Sequence, residues 1–508
     1  MSTPVTELYA VLSRSGTAVD LVATLLAHCR RDHKLYREWL IQQNWNRAGE
    51  MALAGRIDDA VAKLVKSPQF QPAVDGGVFN WSALSSSLLN GDYPYVVTAR
   101  IIANRFAYHF DEKALGRLYL KSSAYPAGGQ RPIRQGDLIY SPSPTLSWYQ
   151  DAGWSRPSEH PHSVETFPPV SPLWSFRIAE SDLFETIDVR LDLSARRLVD
   201  EMFGQLNKII VAACVPNREL GSEYALDQIE KWTEDRQGYF FGVHAADLDR
   251  QRLLFEQATA CALSGGANVV LFPELSATPD VAAHAIQVAA RAVTQPTLLI
   301  PGSWHASRAE GHLLSGRILW RPAGNDPVQV EVIHRKFRPL QRYRMDGADY
   351  DEWLGTWTAK SRPTIRVYLG NTASFTVLIC ADVIGPEIQG LLKEVGPTFV
   401  FVPAMSKTHG PFQRLAAHVN GWQGMTAVSM VPGHAAGEDA GAWAVFCTPY
   451  PGALPLSVGS EFILGGHPGT TFAHHNSTGA ATTSPRQSPA VCFYRLGSSH
   501  CIWQEISV

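Results

Sequence analysis

Three reactive side chains each stand at the end of an apolar run. Glu274 follows Val-Val-Leu-Phe-Pro, Lys336 follows Val-Ile-His-Arg, and Cys380 follows Phe-Thr-Val-Leu-Ile. Short apolar runs read as buried strands, and strand ends in an α/β sheet are where functional side chains converge on a crevice. Each residue has an ordinary use as well: a Glu after Pro caps a helix, a Lys faces solvent, a Cys fills a core. Together they have a chemical logic. Cysteine attacks a carbonyl or nitrile carbon as its thiolate, so it needs a base or cation beside it. Glutamate can take the thiol proton and later pass a proton to a leaving amine. Lysine offers a fixed positive charge to the oxyanion of a tetrahedral intermediate. A Cys–His dyad is the alternative. His334 is its nearest candidate, and strand alternation puts His334 and Lys336 on one face, so either fits.

The surrounding pattern supplies a frame for these residues. From about residue 205 short strands alternate with longer helices. Strands are expected at 208–213, 268–272 and 297–300, with helices at 249–263 and 281–293. A strand pair is expected at 318–320 and 330–334 across the turn 322–326. Further strands fall at 375–379, 399–402 and 426–431. This is a layered α/β domain with its sheet covered by helices. Residues 1–121 carry helical periodicity, as in Val5, Leu8, Val11 and Leu12, and read as a mainly α-helical N-terminal domain. Residues 122–204 are a Pro-rich connecting segment and a helix, since Pro126, Pro132, Pro142, Pro144 and their successors interrupt regular structure.

The totals exclude several classes. A chain of 508 residues makes roughly two to four domains. Its 45% apolar and 18% charged residues are ordinary for a globular protein, and a net charge of −3 gives no footprint for nucleic acid or anionic membrane. The 7 cysteines are scattered with no C-x-x-C pair, which argues against a disulfide framework and for a reducing compartment. No run reaches the ~18 apolar residues of a membrane helix, so a cytoplasmic protein is expected. Asn476-Ser477-Thr478 then reads as a polar loop rather than a glycosylation site. His160-Pro161-His162 has no further ligand types near it, so neither a metal nor another cofactor is expected.

The three reactive residues sit inside longer motifs. Phe272-Pro273-Glu274, His334-Arg335-Lys336 and Leu378-Ile379-Cys380-Ala381-Asp382, followed by Gly385-Pro386-Glu387, resemble the three signatures of the nitrilase superfamily in that family's order. Ile300-Pro301-Gly302-Ser303 and Phe401-Val402-Pro403-Ala404 add to the resemblance, which covers about residues 205 to 470. It implies a four-layer αββα sandwich over about 205–508 and a carbon–nitrogen hydrolase working through a Cys380 thioester, with Glu274 as base. It implies that Lys336 and the backbone N–H of Ala381 hold the oxyanion. It also implies a second Glu that orients the lysine, for which Glu352 is the best candidate. Met405 and Ser406, with Lys407 after them, follow a strand that reaches the substrate pocket in the family. Ala381-Asp382 replaces the aromatic–Glu pair of true nitrilases, which leans towards amide or carbamoyl substrates over nitriles. The long segment from Arg338 to Pro363 reads as a lid or a contact surface. Homodimers and larger homo-oligomers are expected from the family. No second ATP-binding domain or membrane helix is present, which sets aside the glutamine-dependent NAD synthetases and the apolipoprotein acyltransferases. The alternative is a nitrilase-like scaffold or regulatory protein whose N-terminal region binds a partner.

Overall fold

The structure is a computed structural model. It describes residues 10, 15–43, 48–66, 68, 79–81, 94–107, 119–120, 129–142, 175–205, 208–217, 220–233, 236–306, 310–322, 328–341, 343–345, 348–355, 362–406, 408–420, 425–432, 442–447, 454–459, 463–466, 471–475, 481–482, 489–496 and 500–506. Lys407, His160-Pro161-His162, Asn476-Ser477-Thr478 and most of the Pro-rich stretch lie outside the described residues. The chain divides into two compact units, Met1–Leu146 with Pro157–Asp182, and Ser147–Arg156 with Leu183–Val508.

The first unit contains helices Ala18–Arg31, His33–Gln42, Ala48–Val65 and Tyr95–Ala107. The Thr17 hydroxyl starts the first of them by accepting the Asp20 N–H at 3.0 Å. Val19, Leu21, Val22, Leu25 and Leu26 fill its buried face, and it packs on Tyr95–Ala107. Strands Leu138–Tyr140 and Phe176–Ile178 pair beside the same helix.

The second unit is mixed α/β. In its 10-stranded sheet, Val269–Leu271 lies parallel to both Ile210–Val215 and Thr297–Ile300. The sheet continues on one side through His312–Trp320, which pairs with Val328–Arg335 over eight residues. On the other side the C-terminal strand Ala490–Arg495 joins antiparallel to Ile210–Val215. Helices Leu248–Ser264 and Pro279–Ala292 cover one face. Phe255, Ala258, Val281, Ala285 and Ala289 pack there on Val270, Phe272 and Leu299. Phe255 stacks on Phe272 with ring centroids 4.1 Å apart. Burial of each of the Val, Leu and Phe side chains among them contributes roughly 1.5–3 kcal/mol.

A second sheet runs Leu454–Gly459, Ala442–Cys447, Met425–Pro432, Phe399–Ser406, Ser374–Val377, Thr364–Leu369 and Asp188–Asp192. Its contacts with the first sheet include a 2.8 Å hydrogen bond from the Ser429 hydroxyl to the Cys214 carbonyl, and one from the Ile333 N–H to the Tyr368 hydroxyl at 3.2 Å. Helix Gly410–Asn420 packs on Met425–Pro432, and Phe203 of helix Arg196–Phe203 stacks on Phe399 at 4.4 Å. The second unit begins upstream of the residue 205 expected from sequence, because Asp188–Asp192 is a strand paired in parallel with Thr364–Leu369. Its five residues alternate Val189 and Leu191 inward, too brief a pattern to separate from the preceding Pro-rich stretch.

A third, smaller sheet has no counterpart in the sequence reading. Tyr224–Thr233 and Arg236–Ala245 form a long hairpin inserted after Ile210–Val215. Ala348–Glu352 adds in parallel to Arg236–Ala245, with Asp351 opposite Phe240 and Glu352 opposite Phe241. Part of the segment expected as a lid or contact surface is thus a strand.

Candidate active site

Glu274 stands three residues beyond the strand Val269–Leu271, in a tight turn. Leu275, next to it, has φ +57°, and Gly302 packs beneath the turn with φ +79°. A Cβ on Gly302 would lie 2.2 Å from the Pro273 carbonyl oxygen, so only glycine permits this approach. Lys336 directly follows Val328–Arg335, its N–H bonded to the His312 carbonyl at 3.1 Å. Cys380 opens the 3₁₀ turn Cys380–Val383 behind Ser374–Val377 and has φ +42°, a backbone conformation a side-chain-bearing residue adopts at a cost of about 1–2 kcal/mol. Such strain is held only where the surroundings enforce it. Asp382 supplies part of that enforcement. Its carboxylate accepts the N–H groups of Phe337 and Arg338 at 3.1 and 2.9 Å, fastening the cysteine turn to the lysine turn.

The side chains converge. The Lys336 ammonium donates to Glu274 Oε1 and to Glu352 Oε2, both at 2.6 Å. The Met405 backbone joins base and thiol: its N–H donates to Glu274 Oε2 at 2.8 Å, and its carbonyl accepts from Cys380 Sγ at 3.5 Å. Glu274, Lys336 and Glu352 are buried and Cys380 is 8% exposed, so these interactions act in a poorly screened medium. His334 goes elsewhere. Its Nε2 bonds Asp382 Oδ2 at 2.8 Å, so Lys336 is the residue between the carboxylates. Ala381 sits in the 3₁₀ turn, whose opening N–H groups have no partner within the turn. Ser406 is half-buried at the strand end, with its hydroxyl bonded to the Thr408 carbonyl at 2.9 Å.

Two carboxylates share one ammonium and end up with opposite character. Burial and the neighbouring Glu352 charge hold the Glu274 carboxyl above its ordinary range, although Lys336 pulls it down. Burial acts the same way on Glu352, but Lys336 and two imidazoles outweigh it and hold that carboxyl well below its ordinary range. Burial disfavours the charge on Lys336, yet the two carboxylates win and keep it protonated. Burial and the Glu274 charge raise the Cys380 thiol well above its ordinary value. The resting cysteine is therefore a neutral thiol.

His312 and His305 belong to this centre and were not singled out from sequence. His312 Nδ1 lies 2.5 Å from Glu352 Oε1, and its Nε2 is 2.7 Å from the Ser303 hydroxyl. Ser303 Oγ in turn accepts the Leu275 N–H at 3.2 Å. His305 Nε2 lies 3.5 Å from Glu352 Oε1, and its Nδ1 is 2.9 Å from the Val243 N–H on the hairpin. A signal for His312 existed: it heads the buried face His312, Leu314, Gly316 and Ile318 of an alternating strand, where a polar residue is out of place. His305, His312 and Glu352 bring their ligand-type atoms within 4.8 Å of one another. Lys336 already supplies the cation at this carboxylate, however. The 2.5 Å between His312 and Glu352 is also a hydrogen bond, well short of the roughly 3.3 Å between two tetrahedral zinc ligands. Tyr224, Phe241, Val243, Leu275 and Tyr350 form an apolar cluster against Met405. Within it the buried Tyr224 hydroxyl has no hydrogen-bond partner among the described residues.

No family model matches the chain, and no curated protein matches it. Among solved structures it is similar to an amidase from Nesterenkonia sp. AN1. A double mutant of that amidase in complex with acrylamide is 16% identical, with 49% of this chain and 86% of that chain covered and a TM-score of 0.33. A mutant of the same amidase described as from the nitrilase superfamily is 15% identical, covers 57% and 90%, and has a TM-score of 0.31. Likeness at this level carries no conclusion about the chemistry of this chain.

Proposed function

We propose that residues 205–508, together with the strand Asp188–Asp192, form a four-layer αββα sandwich of the nitrilase type that hydrolyses a non-peptide carbon–nitrogen bond in a small amide or carbamoyl substrate. The observation that carries this reading is the buried arrangement in which Lys336 bridges Glu274 and Glu352 at 2.6 Å each, while the Met405 backbone links Glu274 to Cys380. A neutral thiol beside a carboxylate of raised pKa suits a nucleophile activated at the moment of attack.

Glu274 takes the thiol proton as Cys380 Sγ bonds to the substrate carbonyl carbon, and the oxyanion is held by the Lys336 ammonium and the Ala381 N–H. On collapse the C–N bond breaks, and Glu274 returns its proton to the nitrogen, which leaves as ammonia or amine. Water then attacks the thioester, giving its proton to Glu274. The C–S bond breaks, the proton returns to sulfur, and a carboxylic or carbamic acid departs. Lys336 stays charged throughout because Glu352 remains ionised. Met405 and Ser406 border the acyl group, and copies of the chain associate as a homodimer or larger homo-oligomer.

Mass spectrometry of the intact protein after exposure to a panel of small amides and nitriles tests this. A mass gain on Cys380 equal to an acyl group, absent from Cys380→Ala, is the expected result. A folded chain with no adduct and no turnover across the panel would sink the enzyme reading and leave a scaffold.

A further inference from the structure

The two carboxylates around Lys336 differ in their imidazole neighbours: His312 Nδ1 lies 2.5 Å from Glu352 Oε1 but 3.9 Å from Glu274 Oε1, and His305 faces Glu352. Glu352 Oε2 receives Lys336 at 2.6 Å and the Leu340 N–H at 2.8 Å, while its Oε1 receives His312 Nδ1 at 2.5 Å and faces His305 Nε2 at 3.5 Å. His312 cannot turn away, because its Nε2 is fixed by the Ser303 hydroxyl at 2.7 Å and the ring is completely buried. The chain runs in one direction, Leu275 N–H to Ser303 Oγ, Ser303 O–H to His312 Nε2, His312 Nδ1–H to Glu352. It ties the residue after Glu274 to Glu352.

We propose that His312, locked by Ser303, is a positioning residue that keeps the site's mobile proton on Glu274 by holding Glu352 ionised. The inference rests on the reading of Glu274 as base for Cys380. With the imidazole donor in place, one carboxylate is a permanent counter-charge for Lys336 and the other is left to exchange protons. Without it the two become alike, and a proton taken up by the pair is divided between them. The titratable groups facing the pair are Lys336, His305, His312, Cys380 on its turn, and Tyr224 on the hairpin.

The test uses the full chain and two readouts: the pH dependence of Cys380 alkylation by iodoacetamide, which needs no known substrate, and that of kcat/KM for any amide found to turn over. In His312→Leu the acid limb of both profiles moves down by about one pH unit, the size of one lost charged hydrogen bond, because a proton that goes to Glu352 leaves Glu274 ionised and removes the anion that repels it. In His312→Asn, whose side-chain N–H can take the place of Nδ1–H, the limb returns towards wild type. Ser303→Ala shifts it in the same direction by less. A purely structural histidine would lower thermal stability and rates in both variants while leaving the limb in place, and that result overturns the proposal. Restoration of His312→Asn by added zinc but not by magnesium would also overturn it, in favour of a metal site. If the wild-type chain turns over no amide while the alkylation limb still shifts in His312→Leu, the functional reading fails and this one is retained. A wild-type alkylation profile with no acid limb removes both.

Discussion

At the scale of single residues, the site works by making chemically identical groups unlike. Glu274 and Glu352 both touch Lys336, yet one is poised to take a proton and the other is not. Replacement therefore has different consequences at each. On the proposed mechanism Glu274→Gln removes the base, and kcat is expected to fall by about 10²–10⁴-fold, with iodoacetamide alkylation of Cys380 slowed as well. Glu352→Gln keeps the base and loses the counter-charge, so proton exchange at Glu274 persists but the acid limb moves down, since a repelling anion is gone. On the same proposal, Glu274 of the wild type must be ionised to act. Its carboxyl is held above the ordinary 4.5, so kcat/KM falls as pH drops through a value above 4.5 rather than at it. A pH–rate profile with its acid limb at or below 4.5 would contradict this. The type and order of Glu274, Lys336 and Cys380 were legible in sequence because each follows an unmistakable apolar run. His312 was not, because a lone histidine in a strand is ordinary until its neighbours are known.

The elements that aim these residues are short and tightly bound to one another. Gly302 closes the turn under Pro273-Glu274 at a distance no side chain tolerates. Gly302→Ala is expected to destabilise the protein by at least about 1–2 kcal/mol from its left-handed backbone alone. The clash with the Pro273 carbonyl adds to this, and the effect is read as a lower midpoint in urea. An alanine variant with wild-type stability and activity would show that the turn can open. The hairpin Tyr224–Ala245 explains how Glu352, within the segment expected as a lid or contact surface, becomes buried. Its partner strand fixes Glu352 opposite Phe241, and the Trp353 N–H bonds the Phe241 carbonyl at 3.1 Å. The hairpin escaped the sequence reading because Asp227, Glu230, Lys231 and Glu234-Asp235-Arg236 break up its apolar alternation.

For the molecule as a whole, the pH dependence of stability follows from buried histidine. Burial holds His312 neutral in the fold down to about 3, whereas in the unfolded chain it takes a proton near the ordinary 6.5. Between those values the unfolded state binds more protons, so the unfolding free energy falls as pH drops through that window. Urea unfolding at pH 7, 5 and 4 measures the slope, which is expected to be shallower in His312→Asn. The division of the chain makes a separate prediction. A truncation starting at residue 205 loses Asp188–Asp192 and leaves Thr364–Leu369 without its parallel partner. Such a protein is expected to melt at a lower temperature than one starting at 183. Equal melting temperatures would mean that this strand is dispensable.

The sequence by itself determined the α/β alternation after residue 205 and pointed to Glu274, Lys336 and Cys380, which the fold brings together. Hydrophobic periodicity and strand-end position are local properties that a linear chain displays. Tertiary structure alone decided which histidine faces which acid, how Glu352 is buried, and why two glutamates on one lysine hold protons differently. Those outcomes depend on segments up to 131 residues apart, such as Glu274 and Met405, meeting in a medium where burial sets the energy of charge.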